Sequence, residues 1–168
     1  MKIIMLGTGY VGLVSGACFS EFGYNVICVD NDENKINNLK NGILPIYEPG
    51  LNLLVSKNFK NGTLKFSSCL ENSISEADAI FIAVGTPERR GDGHADLSYV
   101  YSAAKEIAPL LNKYCLIITK STVPVGTSLE IKKVIKKYNK NANFDVVSNP
   151  EFLREGSAIE DFMRPNRV

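Results

Sequence analysis

Apolar runs of strand length punctuate this chain, and between them apolar residues recur at helical spacing. The runs are Ile3-Ile4-Met5-Leu6, residues 25–30 around Val26-Ile27-Cys28-Val29, Leu64 to Phe66, Ala79-Ile80-Phe81-Ile82-Ala83-Val84, Cys115 to Thr119, and Phe144 to Val147. Unbroken apolar runs of this kind belong to strands covered on both faces. Val11, Val14, Cys18 and Phe22 are spaced for one face of a helix over 11–22, which Gly23 ends. Asp32 can cap a short helix through Leu39. Asn41-Gly42 then opens a loop, a second short helix runs through Leu54, and residues 69–76 read as another. Val100, Ala104, Ile107 and Leu111 define an amphipathic helix, and Ile131, Val134, Ile135 and Tyr138 the next. The alternation implies one α/β domain with a doubly wound, mostly parallel sheet, since right-handed crossovers place helices on both faces.

The first run passes directly into Gly7-Thr8-Gly9-Tyr10-Val11-Gly12. Each glycine has its own reason. Gly7 permits a tight turn, Gly9 lets backbone approach a pyrophosphate, and Gly12 lets the following helix pack close to the strand. The helix's first turn, with Tyr10 and Val11, then faces the phosphates. Asp30 closes the second run, ~20 residues on, where a carboxylate accepts hydrogen bonds from the adenosine ribose and repels a 2′-phosphate. These features predict a Rossmann-like fold with an NAD site, as against a plain structural turn.

An apolar fraction of 45% with 22% charged residues fits an ordinary globular domain. Nineteen Lys and Arg against 18 Asp and Glu leave nothing global to attract nucleic acid or an anionic membrane. The lysines at 132, 133, 136, 137 and 140 fall mainly on the polar side of one helix, a solvated face. No apolar stretch approaches the ~18 residues of a membrane span, and the chain reads as cytoplasmic. Cys18, Cys28, Cys69 and Cys115 lack C-x-x-C pairing and suit reduced core thiols better than a disulfide framework or a metal site. His94, in Gly91-Asp92-Gly93-His94-Ala95-Asp96, reads as a solvated turn residue.

In such a sheet the ligand lies beyond the carboxyl ends of the strands. There the fourth, fifth and sixth strands run into Gly85-Thr86-Pro87, Lys120-Ser121-Thr122-Val123-Pro124-Val125-Gly126-Thr127 and Ser148-Asn149-Pro150-Glu151-Phe152-Leu153-Arg154-Glu155-Gly156. Thr86, Ser121, Thr122, Glu151 and Glu155 are therefore expected to converge on one mouth. Helix capping explains any one of them. Together they exceed what capping needs, and a carboxylate beside a sugar alcohol can do general-base work.

These segments, with the glycine turn and Tyr47-Glu48-Pro49-Gly50-Leu51, resemble the amino-terminal domain of the UDP-glucose/GDP-mannose dehydrogenase family over the whole chain. The tail from Ser157 to Val168 is nearer the UDP-glucose branch than the GDP-mannose branch. The resemblance implies NAD-dependent oxidation of the C6 alcohol of UDP-glucose to UDP-glucuronate, with two hydrides passed to two NAD molecules. It implies that Gly7, Gly9, Tyr10, Val11 and Gly12 hold the pyrophosphate, Asp30 and Lys35 the ribose side, and Thr86, Ser121, Thr122 and Glu155 the nicotinamide half. Glu151, Phe152, Leu153, Arg154 and Glu155 would reach the nucleotide sugar, while Thr122 and Glu151 hold a water and support proton transfer. Lys35 stands where many relatives carry arginine, and it supplies a point charge without the planar fork.

The family's second oxidation uses a cysteine in a glycine-rich segment, and none of the four cysteines here has that setting. The expectation is thus a 1–168 NAD-binding domain of a longer, homo-oligomeric enzyme, its central helix and carboxy-terminal sugar-nucleotide domain lying elsewhere. A GDP-mannose 6-dehydrogenase domain and a stand-alone NAD-binding regulatory module are the alternatives.

Overall fold

All of the predicted strands form, and they pair in parallel. The computed structural model describes residues 1–89, 91 and 93–168; Asp92 of the predicted turn lies outside the described residues. The strands are β1 (Lys2–Leu6), β2 (Asn25–Val29), β3 (Leu64–Ser67), β4 (Ala79–Ile82), β5 (Cys115–Thr119) and β6 (Phe144–Ser148). The helices are α1 (Tyr10–Glu21), α2 (Glu33–Lys40), α3 (Leu51–Lys60), α4 (Glu71–Ile74), α5 (Ser98–Ile107), α6 (Thr127–Tyr138) and α7 (Ala158–Met163). Sheet order is β3-β2-β1-β4-β5-β6, so the chain doubles back between β1 and β4. That switch point, at the carboxyl ends, is where open α/β sheets bind ligands.

Strand pleating sorts the core into two layers. Ile3, Met5 and Phe81 face a layer closed by α1, α2, α3 and α7; Ile4, Leu6, Ile80 and Ile82 face a layer closed by α4, α5 and α6. Ile3, Ile4, Ile80 and Ile82 are wholly buried. Truncating any one to alanine would cost about 2–5 kcal/mol.

Several elements depart from the periodicity. In α1, Leu13, Val14, Ala17 and Cys18 are wholly buried, while Phe22 is 51% exposed and stacks on Phe162 instead. The helix is squeezed between the sheet and α3 and α7, so its buried surface is wider than one stripe. Helix α3 runs past Leu54 to Lys60, because Asn58 continues the inward face and donates to the Glu21 carboxylate at 3.0 Å. The helix expected over 69–76 is a single turn, ended where Glu76 takes a positive φ. Strand β4 stops at Ile82, two residues before the apolar run ends. Pro109 lacks the N–H that would extend α5, and a 3₁₀ turn (Ala108–Leu110) carries the chain on to a still-buried Leu111. Helix α7 has no forerunner in the pattern.

The lysine-rich face of α6 is solvent-exposed, as its polarity implied. Glu130 and Asp145 pair with Lys133 and Lys132 at 2.7 and 3.7 Å.

Candidate active site

The three glycines of the turn after β1 differ in what forbids a side chain. A Cβ on Gly7, at φ +97°, would lie 2.5 Å from the Ala83 carbonyl oxygen. One on Gly12 would lie 2.0 Å from the Gly7 carbonyl oxygen. Both positions are thus dictated by the chain's own backbone. Gly12 presses the helix onto the turn and the end of β4; close packing of α1 on a strand belongs instead to Gly16, whose Cβ would meet Cys28 Sγ at 2.5 Å. Gly9 is different. No atom lies within 4 Å of its would-be Cβ, and its φ of −72° suits any residue.

The first turn of α1 follows with no side-chain cap and no acidic residue. Its free N–H groups carry the positive end of the helix dipole, a ready anion site. An open glycine beside an uncapped helix start fits the pyrophosphate of a dinucleotide.

Asp30 is fixed at the end of β2 by residues the turn supplies. The Thr8 N–H and hydroxyl donate to its Oδ2 at 2.9 and 2.7 Å, and Lys35 Nζ joins them at 2.9 Å. The other oxygen, Oδ1, accepts, among the described residues, a single 3.2 Å bond from the Asp32 N–H, which leaves acceptor capacity for a ribose hydroxyl. Burial raises the Asp30 pKa, but the bonds from Thr8, Lys35 and Asp32 outweigh it and bring it down to about 2. Thr8 is wholly buried. Sequence reading missed it, although a hydroxyl inside the glycine turn was the available signal.

The loops after β4, β5 and β6 share the same sheet edge. Ser121 donates to the Val84 carbonyl at 2.6 Å, which ties the first two loops together. Thr122 is exposed and does not cap α6, whose N-cap is Gly126; Thr127 donates to the Pro124 carbonyl there. Thr86 and Glu151 are half-buried. Glu151 accepts from the Leu153 N–H at 2.5 Å.

Next to Glu151 stands Lys120, 6% exposed, donating to Asn149 Oδ1 at 3.2 Å beneath the Phe162 ring. Burial lowers the Lys120 pKa, and the Glu151 carboxylate partly restores it. Glu155 is exposed and near enough to Tyr10 to raise its pKa.

Other members of the predicted set point elsewhere. Leu153 packs on the core, and Arg154 grips Asp161 of α7 with Nη2 at 2.7 Å and Nε at 3.1 Å. Phe152 lies exposed under the Arg167 guanidinium, 4.5 Å from its ring centre. The segment is held in place by Glu48, which sequence reading used only as part of a motif. Its carboxylate accepts from Tyr10 Oη and from the Gly156 and Ala158 N–H groups, each at 2.8 Å. Burial raises the Glu48 pKa, yet the bonds from Tyr10, Gly156 and Ala158 hold it below the usual carboxylate range. Burial, with the Glu48 hydrogen bond, pushes the Tyr10 phenol up to about 12.

A concavity of about 700 Å³, lined by Lys2, Asn25, Thr63, Lys65, Asp78 and Lys113 among others, opens at the amino ends of the strands. It lies opposite the glycine turn, and its Asp78 is already satisfied by the Lys2 N–H and Lys113. All four thiols are free. Burial pushes Cys18 and Cys28 up to about 12 and Cys115 to about 11, which makes them poor nucleophiles.

Sheet order, glycine turn and fixed acidic residue together define a dinucleotide-binding domain of the dehydrogenase class. The family model described as "UDP-glucose/GDP-mannose dehydrogenase family, NAD binding domain" matches residues 1–168, and the chain belongs to that family, with NAD as the dinucleotide. It is 60% identical over 168 residues to the UDP-glucose 6-dehydrogenase of Rhizobium meliloti (strain 1021), covering 100% of this chain and 38% of the relative. With UDP-glucose 6-dehydrogenase TuaD of Bacillus subtilis (strain 168) it shares 55%, over 99% of this chain and 36% of that one. A UDP-glucose dehydrogenase structure from Pyrobaculum islandicum superposes with a TM-score of 0.93 at 39% identity, over 98% of this chain and 39% of its own. A ternary complex of GDP-mannose dehydrogenase from Pseudomonas aeruginosa gives 0.94 at 34%, with the same coverage. The chain thus spans well under half the length of these relatives.

Proposed function

We propose that residues 1–168 form the NAD-binding domain of an enzyme that oxidises the C6 alcohol of UDP-glucose to the carboxylate of UDP-glucuronate. The observation that carries this reading is the mouth itself: Glu151, whose charge reaches Lys120, and Glu155, whose charge reaches Tyr10, bring two carboxylates to the edge that holds the glycine turn. A domain that only sensed NAD would not need them. The choice of UDP-glucose follows the relatives of highest identity quoted above.

In this reading Gly7, Gly9, Tyr10, Val11 and Gly12 bind the pyrophosphate. Asp30 Oδ1 accepts from the adenosine ribose while Lys35, paired with Oδ2, fixes the carboxylate. Thr86, Ser121, Thr122 and Glu155 orient the nicotinamide half. NAD, when bound, supplies the hydride acceptor. Glu151 and Thr122 hold a water and move a proton near the sugar C6, since Thr122 has no capping duty and Glu151 keeps one carboxylate oxygen outside its Leu153 bond. Within the segment 151–155, Glu151 and Glu155 are the residues that face the nucleotide sugar, and the charge of Glu151 near Lys120 helps set the local field. The working enzyme is a homo-oligomer in the cytoplasm, where free thiols persist, and its remaining length supplies the sugar-nucleotide domain and the nucleophilic cysteine.

The test is calorimetric and kinetic. The 168-residue chain should bind NAD more tightly than NADP, and Asp30→Ala should narrow the gap; equal affinity in the unmodified chain would contradict the site. With Cys18, Cys28 and Cys115 buried and Cys69 outside any glycine-rich segment, the chain alone should turn over no UDP-glucose, whereas the full-length protein should form UDP-glucuronate. Preference of the full-length protein for GDP-mannose would move the assignment to the other branch of the family.

A further inference from the structure

Glu48 lies in the loop between α2 and α3, outside every helix and strand, yet it is 5% exposed. Its hydrogen bonds come from two distant parts of the chain. Tyr10, the first residue of α1, donates its phenol to Oε2. From the other side the Gly156 N–H donates to Oε2 and the Ala158 N–H to Oε1, both at 2.8 Å. A buried carboxylate is tolerable only when its lone pairs are taken up, and here a phenol and two backbone N–H groups do so.

Other side chains also anchor the loop after β6. Lys120 holds its start through Asn149, and Arg154 closes it onto Asp161. Phe162, at the far end of α7, packs edge-on against Phe19 of α1 with ring centres 5.0 Å apart. None of these reaches the first turn of α1. Glu48 does.

We infer that Glu48 is a positioning residue, tying the loop that carries Glu151 and Glu155 to the first residue of α1 so that the sugar-facing and pyrophosphate-facing groups keep one geometry. This rests on the reading that the loop faces a nucleotide sugar. The requirement is for a carboxylate of this length. Glutamine would offer one acceptor oxygen and turn an NH₂ group against a backbone N–H, donor against donor. Aspartate keeps the charge but, one methylene shorter, can serve only one side at a time.

The experiment has two arms. In the 168-residue chain, Glu48→Gln should speed amide hydrogen exchange at Gly156 and Ala158 at least tenfold while amides of β1 and β4 exchange as before. In the full-length protein the same substitution should lower kcat for UDP-glucose at least tenfold per folded molecule, with KM for NAD changed by less than threefold. Glu48→Asp should fall between, and it is read by the same criteria if Glu48→Gln does not fold. Unchanged exchange at Gly156 and Ala158 would overturn the tether. Faster exchange with unchanged kcat would leave Glu48 as a purely structural cap and overturn the positioning role. If the unmodified full-length protein does not oxidise UDP-glucose, the functional reading fails on its own, and the exchange arm still decides the tether.

Discussion

Around Asp30, four hydrogen bonds from Thr8, Asp32 and Lys35 fix a carboxylate that is already largely buried. On the same sheet edge, Thr122 is exposed and has no hydrogen-bond partner among the described residues. The contrast extends to the backbone. A methyl group on Gly7 or Gly12 would lie within 2.5 Å of a carbonyl oxygen, whereas the loops after β5 and β6 are pinned at a few points, among them Ser121, Lys120, Arg154 and Glu48. Gly7 and Gly12 are thus over-determined by the fold, and errors at these two positions should appear as lost stability. The mouth is under-committed, and errors there should appear as lost chemistry in a protein that still folds.

The sharpest break in the first region is Gly12→Ala. Its Cβ would sit 2.0 Å from a backbone oxygen that cannot move without opening the turn. A loss of about 3 kcal/mol or more is expected in denaturant titration, at or beyond the usual range for overpacking. Gly7→Ala should follow closely, since it adds a positive φ to a 2.5 Å clash.

The mouth should answer differently. Glu151→Gln in the full-length protein should cut kcat about a hundredfold while moving KM little, the signature of an interaction made toward the transition state. Thr122→Ala should lower kcat too, with stability changed by no more than about 0.5 kcal/mol because the side chain is exposed. Near-normal turnover with reduced stability would erase the difference between the two regions.

Asp30 offers a pH-resolved version of the same comparison. Its folded pKa of about 2 lies below the ordinary 3.8. The stability it contributes is therefore fully present above pH 4 and is lost as pH falls toward 2. Asp30→Asn should cost about 2 kcal/mol near neutrality, and the gap to the unmodified chain should shrink across that acid window. A gap that stays constant from pH 7 to 2 would mean that the charge of Asp30 is not what the Thr8 and Lys35 bonds stabilise.

The strands and the Asp30 position were legible in the sequence because both signals are local: runs of Ile, Val and Phe, and an acidic residue at a fixed offset from a glycine turn. Asp32 likewise capped α2 as expected, its side chain accepting from the Lys35 N–H. What stayed hidden is non-local. Glu48 meets Gly156 and Ala158 across most of the chain, so neither segment alone announces the clamp, and α7 is too short for periodicity to reveal. The helix after the glycine turn read as a one-sided stripe because its burial on other sides depends on α3 and α7. Capping was the plain explanation for the mouth residues. At α7 the structure gives that work to Glu48, which accepts from the Ala158 N–H, and α6 begins at Gly126 with no side-chain cap, so Thr122 has no capping role.

The fold requires two of the turn's glycines, and the proposed pyrophosphate site requires the third. Gly9→Ala tests this most directly, because among the described residues the added methyl group meets nothing within 4 Å beyond its own chain neighbours. Calorimetric titration beside denaturant unfolding of the 168-residue chain should show stability within about 1 kcal/mol of the original, the margin for exchanging glycine at a helix N-cap. NAD affinity should weaken about tenfold, or roughly 1.4 kcal/mol. Unchanged NAD affinity in a folded Gly9→Ala chain, or a loss of stability as large as that of Gly12→Ala, would contradict the account.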